Sequence, residues 1–202
     1  MISSACRCNR GAFILAAWCA AAIALAGPGA RRAAAADSYQ LDPMHSSVAF
    51  KIQHVGISWV QGRFDDVSGA CTIDKDDPAK SSFEMAIKTA SVDTNVAQRD
   101  EHLRSPDFFD AKQFPAITFK STAVKKADDG YAVTGDFTLH GVTKSITLTL
   151  VGGKEAEFPK GTQRIGFITE LKLKRSDYGM DKMIPAVGDE VRIFISVEVV
   201  KK

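Results

Sequence analysis

The sequence predicts an all-β protein, an antiparallel barrel with an apolar interior and one short helix, and three observations carry that expectation. Wherever the chain reads as strand, large apolar residues occupy one parity and polar residues the other, as in Tyr131, Val133, Phe137 and Leu139 against Thr134, Asp136 and Thr138. Successive side chains of a strand point to opposite faces, so one side meets grease and the other water. Ten such segments follow residue 36, enough to close a barrel, and only one stretch departs from the pattern.

The N-terminal stretch is a different object. Arg7 and Arg10 precede an apolar run from Ala12 to Ala26, and small residues follow to Ala34, Ala35 and Ala36. That is the layout of a cleaved signal peptide over residues 1–36, with Ala24, Leu25 and Ala26 as a second place to cut. The apolar run is shorter than the ~20 residues that span a bilayer, and no second one follows in the mature chain. Export to the periplasm is the expectation. Loss of the leader removes four arginines and no acid, which takes the formal charge from +2 to −2. A nearly neutral chain offers no electrostatic case for nucleic acid or an anionic membrane surface. Cys6, Cys8 and Cys19 leave with it, so Cys71 has no intrachain partner and reads as a small core residue.

The strands are expected, in order, over Tyr39 to Leu41, Val48 to Val55, Gly62 to Phe64, Gly69 to Ile73, Ser82 to Lys88, Ile117 to Val124, Tyr131 to Leu139, Ser145 to Val151, Gln163 to Lys174 and Val191 to Val200. Asp129 and Gly130 mark a hairpin, because glycine accepts the positive φ of tight turns. Asn95 is placed to cap a short helix that runs through Arg99, Asp100, Glu101, His102, Leu103 and Arg104 and stops before Pro106. Asp100 and Arg104, four apart, are expected to pair across one helical turn. The aromatic group Phe108, Phe109 and Phe114 should lie against an end or flank of the barrel. The connection Ser176 to Asp189, with Met180, Met183 and Ile184, is long enough to form part of a mouth.

Enzyme signatures are missing: no nucleophile elbow, phosphate-binding glycine loop, His-Glu-x-x-His or Cys-x-x-Cys is present. The four histidines, His45, His54, His102 and His140, lie in separate segments without metal-ligand spacing. No metal or cofactor is expected. Asp74, Lys75, Asp76 and Asp77 read as a solvated turn, because the glycine and terminal glutamate of a calcium loop are absent. Arg99, Asp100, His102 and Arg104 either anchor the helix to the barrel or, with His45, His54 and His140, form a polar collar for the head of a greasy ligand. An outer-membrane barrel is excluded by the Lys, Glu and Thr of the polar faces and by the absence of aromatic girdles.

The residues also carry a family likeness. Leu41, Asp42, His45, Ser46, Phe50, His54, Gly62 and Phe64 open it, and Ser91-Val92-Asp93-Thr94, Arg99 through Ser105 and Asp107-Phe108-Phe109-Asp110 continue it. Leu139-His140-Gly141-Val142-Thr143-Lys144, Asp177-Tyr178-Gly179-Met180 and Val187-Gly188-Asp189 complete it. In these motifs the mature chain resembles the YceI-like family of periplasmic lipid-binding proteins. Ser145, where proline is common, and Tyr178, where phenylalanine or tryptophan is usual, are small departures. The resemblance implies an extended lipocalin-like antiparallel barrel that holds a polyisoprenoid or similar long amphiphile, in a carrier rather than an enzyme.

The lining expected for that lumen is Phe50, Ile52, Phe64, Met85, Ile87, Phe119, Phe137, Leu139, Leu148, Phe167 and Leu171. A barrel of about eight strands can hold one small ligand. Burial of a five-carbon isoprenoid unit contributes at most ~4 kcal/mol, so three or four units offset an association cost of ~4 to 15 kcal/mol. Two other readings compete. One is a stress-related interaction protein with a packed core; the other is an enzyme acting on a lipid head through its histidines. A homodimer is compatible with all three.

Overall fold

The computed structural model describes residues 36–202, so the leader expectation, apart from Ala36, lies outside the described residues. Eleven strands make one sheet. They are β1 (Asp37–Leu41), β2 (Ser47–His54), β3 (Ser58–Phe64), β4 (Val67–Ile73), β5 (Ser82–Lys88), β6 (Val92–Asp93), β7 (Ala116–Ala127), β8 (Gly130–Leu139), β9 (Val142–Glu157), β10 (Gln163–Lys174) and β11 (Val187–Lys201). Every pairing is antiparallel, in the order β1-β4-β5-β7-β8-β9-β10-β11, and β11 returns to β1 through Tyr39 opposite Lys201. Eight strands therefore close a barrel, with no free edge in the ring.

β2, β3 and β6 extend one end of it. β2 continues β1 beyond a single 3-10 turn, Pro43–His45, and pairs with the first half of β11 while β1 pairs with its last residues. β3 hydrogen-bonds to β2, and β6 adds Val92 and Asp93 to the far side of β3. Gly62, on the inward phase of β3, is required by close approach: a Cβ there would come within 2.4 Å of the Phe50 ring.

The register defines two ends. The turn at 55–57, the excursion 89–115, the turn at 140–141 and the connection 175–186 cluster at the helix end. The turns at 74–81, 128–129 and 158–162 and both described termini form the other. The Asp128-Asp129 turn is the expected hairpin; a Cβ on Gly130 would strike the Leu150 carbonyl oxygen at 1.9 Å.

The break between β1 and β2 is held by charge. Asp42 accepts from Met44 N–H at 3.0 Å, meets His45 Nδ1 at 2.9 Å and Arg164 Nη1 at 2.6 Å, and Arg164 reaches Glu198 at 3.2 Å. The Arg164 hydrogen bond, then that of His45, holds the Asp42 carboxyl well below its ordinary value of 3.8. A depressed carboxylate pKa stabilises the fold above the ordinary value, and that stabilisation fades as pH falls through the folded one. Arg164→Gln should therefore lower the urea midpoint near pH 6, and the gap from the natural protein should narrow near about pH 2.5. A gap independent of pH would refute this role for Asp42.

Three expectations need correction. Strands run further than the alternation indicates: β3 begins at Ser58 rather than Gly62, and β9 continues through Gly152, Gly153 and the charged residues to Glu157. Backbone pairing with Gln163 and Arg164 carries that end where side chains give no pattern. β6 is too short to leave a period. The helix, α1 (Ala97–Arg104), is preceded by Val96 and not capped by Asn95, which takes the left-handed conformation at φ 63°. The expected Asp100–Arg104 pair does not form, because both side chains bind backbone upstream of the helix.

Candidate functional site

Inward phases of the barrel strands enclose two apolar cavities that abut. The one toward the termini is lined by Leu41, Cys71, Phe83, Met85, Phe119, Ile146, Leu148, Leu150, Phe167, Thr169, Val197 and Val199. The one at the helix end is lined by Val48, Phe50, Ile52, Phe64, Leu139, Leu173, Val191 and Ile193, with Leu103, Phe108 and Phe109 from the excursion and Arg175, Met180 and Val187 from the last connection. Ile87, Ile117, Phe137, Leu171 and Ile195 line both and form a belt between them. Their volumes are about 100 Å³ and 120 Å³. All eleven residues expected to line the lumen lie on one cavity or the other. The interior is not filled from end to end, which speaks against a wholly packed core.

The termini end is stoppered by three rings. Phe83, Tyr131 and Phe167 stand 5.7 to 6.1 Å apart, centroid to centroid, in tilted and edge-on contacts. Beyond them a polar groove carries Lys75, paired with Glu155, and Lys126 over the Tyr131 ring. Phe167 lines both the groove and the cavity, so the stopper is one ring thick there.

The helix end is assembled by side chains that grip backbone. Asp100, buried, accepts from Thr94 N–H at 2.8 Å and Thr94 Oγ1 at 2.5 Å. Arg99 donates to Thr94 Oγ1 and carbonyl, and Arg104 to the carbonyls of Ala90 and Val92, each bond 2.7 Å. These bonds tie α1 to the 90–94 segment and carry Leu103, Phe108 and Phe109 over the cavity. His102 meets Asp107 at 3.0 Å and stands edge-on to Phe108; the contact holds the Asp107 carboxyl below the ordinary range. His140, at φ 50°, meets the Tyr178 carbonyl at 3.1 Å and packs on Phe114. His54 is exposed at the tip of β2.

The proposed collar is therefore not one ring. His45 lies at the β1–β2 break, in the middle of the wall, His54 stands exposed at the tip of β2, and Arg99, Asp100, His102, Arg104 and His140 anchor segments of the helix end. Asp74 also differs from the solvated turn expected of it: it is buried, and its Oδ1 accepts from Asp76 and Asp77 N–H at 3.0 and 2.8 Å. Cys71 is buried and inward-facing, and burial pushes its thiol up to about 12, so it stays protonated and unreactive. Among the described residues no group of three or more His, Cys, Asp or Glu is placed to hold a metal ion, and no helix is long and apolar enough to cross a membrane.

Two inward-facing residues escaped the sequence reading, Arg175 and Thr169. Arg175 is 3% exposed and donates four hydrogen bonds: Nε to the Gly188 carbonyl, Nη1 to Met180, and Nη2 to Lys182 and Val187, at 2.7 to 2.9 Å. It holds the 175–188 connection as a loop around its guanidinium, and burial lowers its pKa. The signal was parity, since residues 165, 167, 169, 171, 173 and 175 share the inward phase and only Thr169 and Arg175 among them are polar.

This architecture has relatives. A family model for the YceI-like domain matches residues 39–199. The chain belongs to the YceI-like family. It is 44% identical over 173 residues to protein YceI of Escherichia coli O17:K52:H18, covering 84% of this chain and 90% of that one. The solved YceI protein of Campylobacter jejuni superposes with a TM-score of 0.66 at 35% identity, over 74% of this chain and 90% of that chain. BcnA of Burkholderia cenocepacia gives 0.68 at 26% identity, over 78% and 98%. A polyisoprenoid binding domain from Saccharophagus degradans gives 0.65 at 20% identity, over 81% and 98%, a likeness of fold alone. Closed barrels with an apolar inside are thus the setting in which the YceI-like residues of this chain sit.

Proposed function

We propose that this chain is a periplasmic carrier that shelters the tail of an isoprenoid quinone, polyprenyl compound or similar long amphiphile in its lumen, for storage or transport rather than turnover. The observation that carries the reading is the pair of abutting apolar cavities joined at a belt of five side chains. Apolar surface removed from water supplies the driving force, and a tail of three or four isoprenoid units is long enough to exceed the entropy lost on association. Membership of the YceI-like family and the leader-like N-terminus support it. Against catalysis stand His45, His102 and His140, each engaged in holding a turn or a segment.

Native mass spectrometry of protein drawn gently from the periplasm tests the proposal. A mass increment that disappears on extraction with organic solvent is the expected result. Protein that emerges without an amphiphile, and that takes up none of a four-unit isoprenoid chain offered in excess, would overturn it.

A further inference from the structure

Exposed apolar and cationic side chains gather at one corner of the helix end. Ile57, in the β2–β3 turn, is 87% exposed, and Val55 beside it is half exposed. The last connection brings Met183 and Ile184, both exposed, to the same place: Val55 N–H donates to the Ala186 carbonyl at 2.7 Å, Val187 N–H donates to the Met183 carbonyl at 2.8 Å, and Val187 pairs with His54. Four aliphatic side chains thus project together. Behind them, on the outward phase of β3, stands Trp59, with Lys51 Nζ 5.3 Å and the Arg192 guanidinium 5.0 Å from the ring centre. Register sets Lys51 opposite Arg192 and Arg192 opposite Lys172, three cations abreast on β2, β11 and β10. Like charges directly opposite one another destabilise a sheet, and among the described residues only Arg192 of the three has a carboxylate partner, Glu190 at 3.0 Å.

We propose that this corner docks on a bilayer surface that carries anionic phospholipid: the four aliphatic side chains enter the acyl boundary, Trp59 lies at headgroup depth, and the cation row meets the phosphates. The docking does not depend on what the lumen holds. Strands advance ~3.3 Å per residue, so the Lys51 row lies ~10 Å behind the tip of the turn. That interval matches the ~5 to 10 Å to which the apolar face of an interfacial segment sinks. A tryptophan suits the level between, because its ring is apolar and its N–H polar. Lys182, beside Met183, is shared with Asp107 at 3.4 Å and adds little charge, while Glu170 lies one row further from the tip. A protein partner fits less well, since interfaces between proteins centre on pockets that bury an anchor completely, and these side chains protrude from convex turns. The net charge of the chain, close to zero, conceals the row, because only strand register brings residues 51, 172 and 192 together.

Flotation with vesicles of phosphatidylcholine, and of phosphatidylcholine mixed with phosphatidylglycerol, tests this at low ionic strength. The natural protein should float more strongly with the mixed vesicles and lose that preference in high salt, because exposed charges are screened. Lys51→Gln and Lys172→Gln should each weaken binding to the mixed vesicles by about fivefold. Ile57→Ser, at a side chain too exposed to support the fold, should weaken binding to both by roughly tenfold. Phe158→Ser, which removes an exposed aromatic ring at the opposite end, should change nothing. Natural protein that floats with neither vesicle overturns the proposal, as does binding that survives Ile57→Ser or falls equally with Phe158→Ser. If Ile57→Ser instead breaks up a dimer of the natural protein, the corner is a protein interface and the bilayer assignment falls. Each of these failures leaves the carrier reading standing, since that reading is tested by what the lumen holds.

Discussion

Arg175→Ala should be among the most destabilising single changes in the protein, at about 3 to 5 kcal/mol, since several buried acceptors lose charge-assisted hydrogen bonds worth about 1 to 3 kcal/mol each and relaxation recovers part of that. The side chain satisfies four buried carbonyls, those of Gly188, Met180, Lys182 and Val187, and its loss leaves them to find water or stay unpaired. For a domain of this size each kcal/mol shifts the midpoint by about 2 to 4 °C, so thermal unfolding should fall by on the order of 10 °C. Arg175→Lys should recover little of it, because an ammonium presents three donors from one point and cannot span carbonyls that a planar fork reaches from three nitrogens. Differential scanning calorimetry reads the effect directly. A shift under about 2 °C for the alanine variant would show that the connection is held by its own backbone bonds and by Val55 N–H on the Ala186 carbonyl, and not by the guanidinium.

Ile195→Trp should close the lumen at its waist. Ile195 lines both cavities, so added bulk there divides the space that a tail must thread. A four-unit isoprenoid would lose room for about two units, each contributing up to ~4 kcal/mol, so affinity should drop by at least roughly 100-fold. A two-unit chain, short enough for one cavity, should bind nearly as weakly to the variant as to the natural protein. Overpacking of this kind carries a stability cost of ~1 to 3 kcal/mol, which leaves the variant folded under mild conditions and measurable. The length series separates occlusion from general damage: equal losses for short and long tails would mean general damage, and no loss for the long tail would mean that the lumen does not run continuously through the belt.

Much of the lumen was legible before any coordinate. Phe50, Phe64, Met85, Phe137 and Leu171 could be placed inside because a strand has a period of two, and a closed antiparallel barrel converts each phase into a single surface. The same rule, applied without exception, also reaches Thr169 and Arg175. They are polar residues on an apolar phase, and that mismatch is the signal. What parity cannot supply is their partners. Arg175 binds carbonyls 5 to 13 residues further along, which only the folding back of the connection brings near.

The helix end shows the opposite case. Asp100 and Arg104 stand at a spacing that favours an ion pair worth a few tenths of a kcal/mol. Each instead satisfies backbone groups, a stronger demand when those groups are buried. Likewise His45 and His140 carry similar chemistry, but one sits in the wall and the other at the helix end, a difference set by strand register alone.

By itself the sequence determined the strand periodicity, the closed all-β class, the apolar character of the inside and the family, because each is written in local alternation or contiguous motifs. Tertiary structure alone decided that the interior divides into two cavities at a belt, that one end is stoppered by Phe83, Tyr131 and Phe167, and that Thr169 finds no partner among the described residues. The reason is distance along the chain. Void, stopper and unpaired hydroxyl are each defined by residues from strands far apart in sequence, and only closure of the barrel fixes how nearly their side chains fill the space between them.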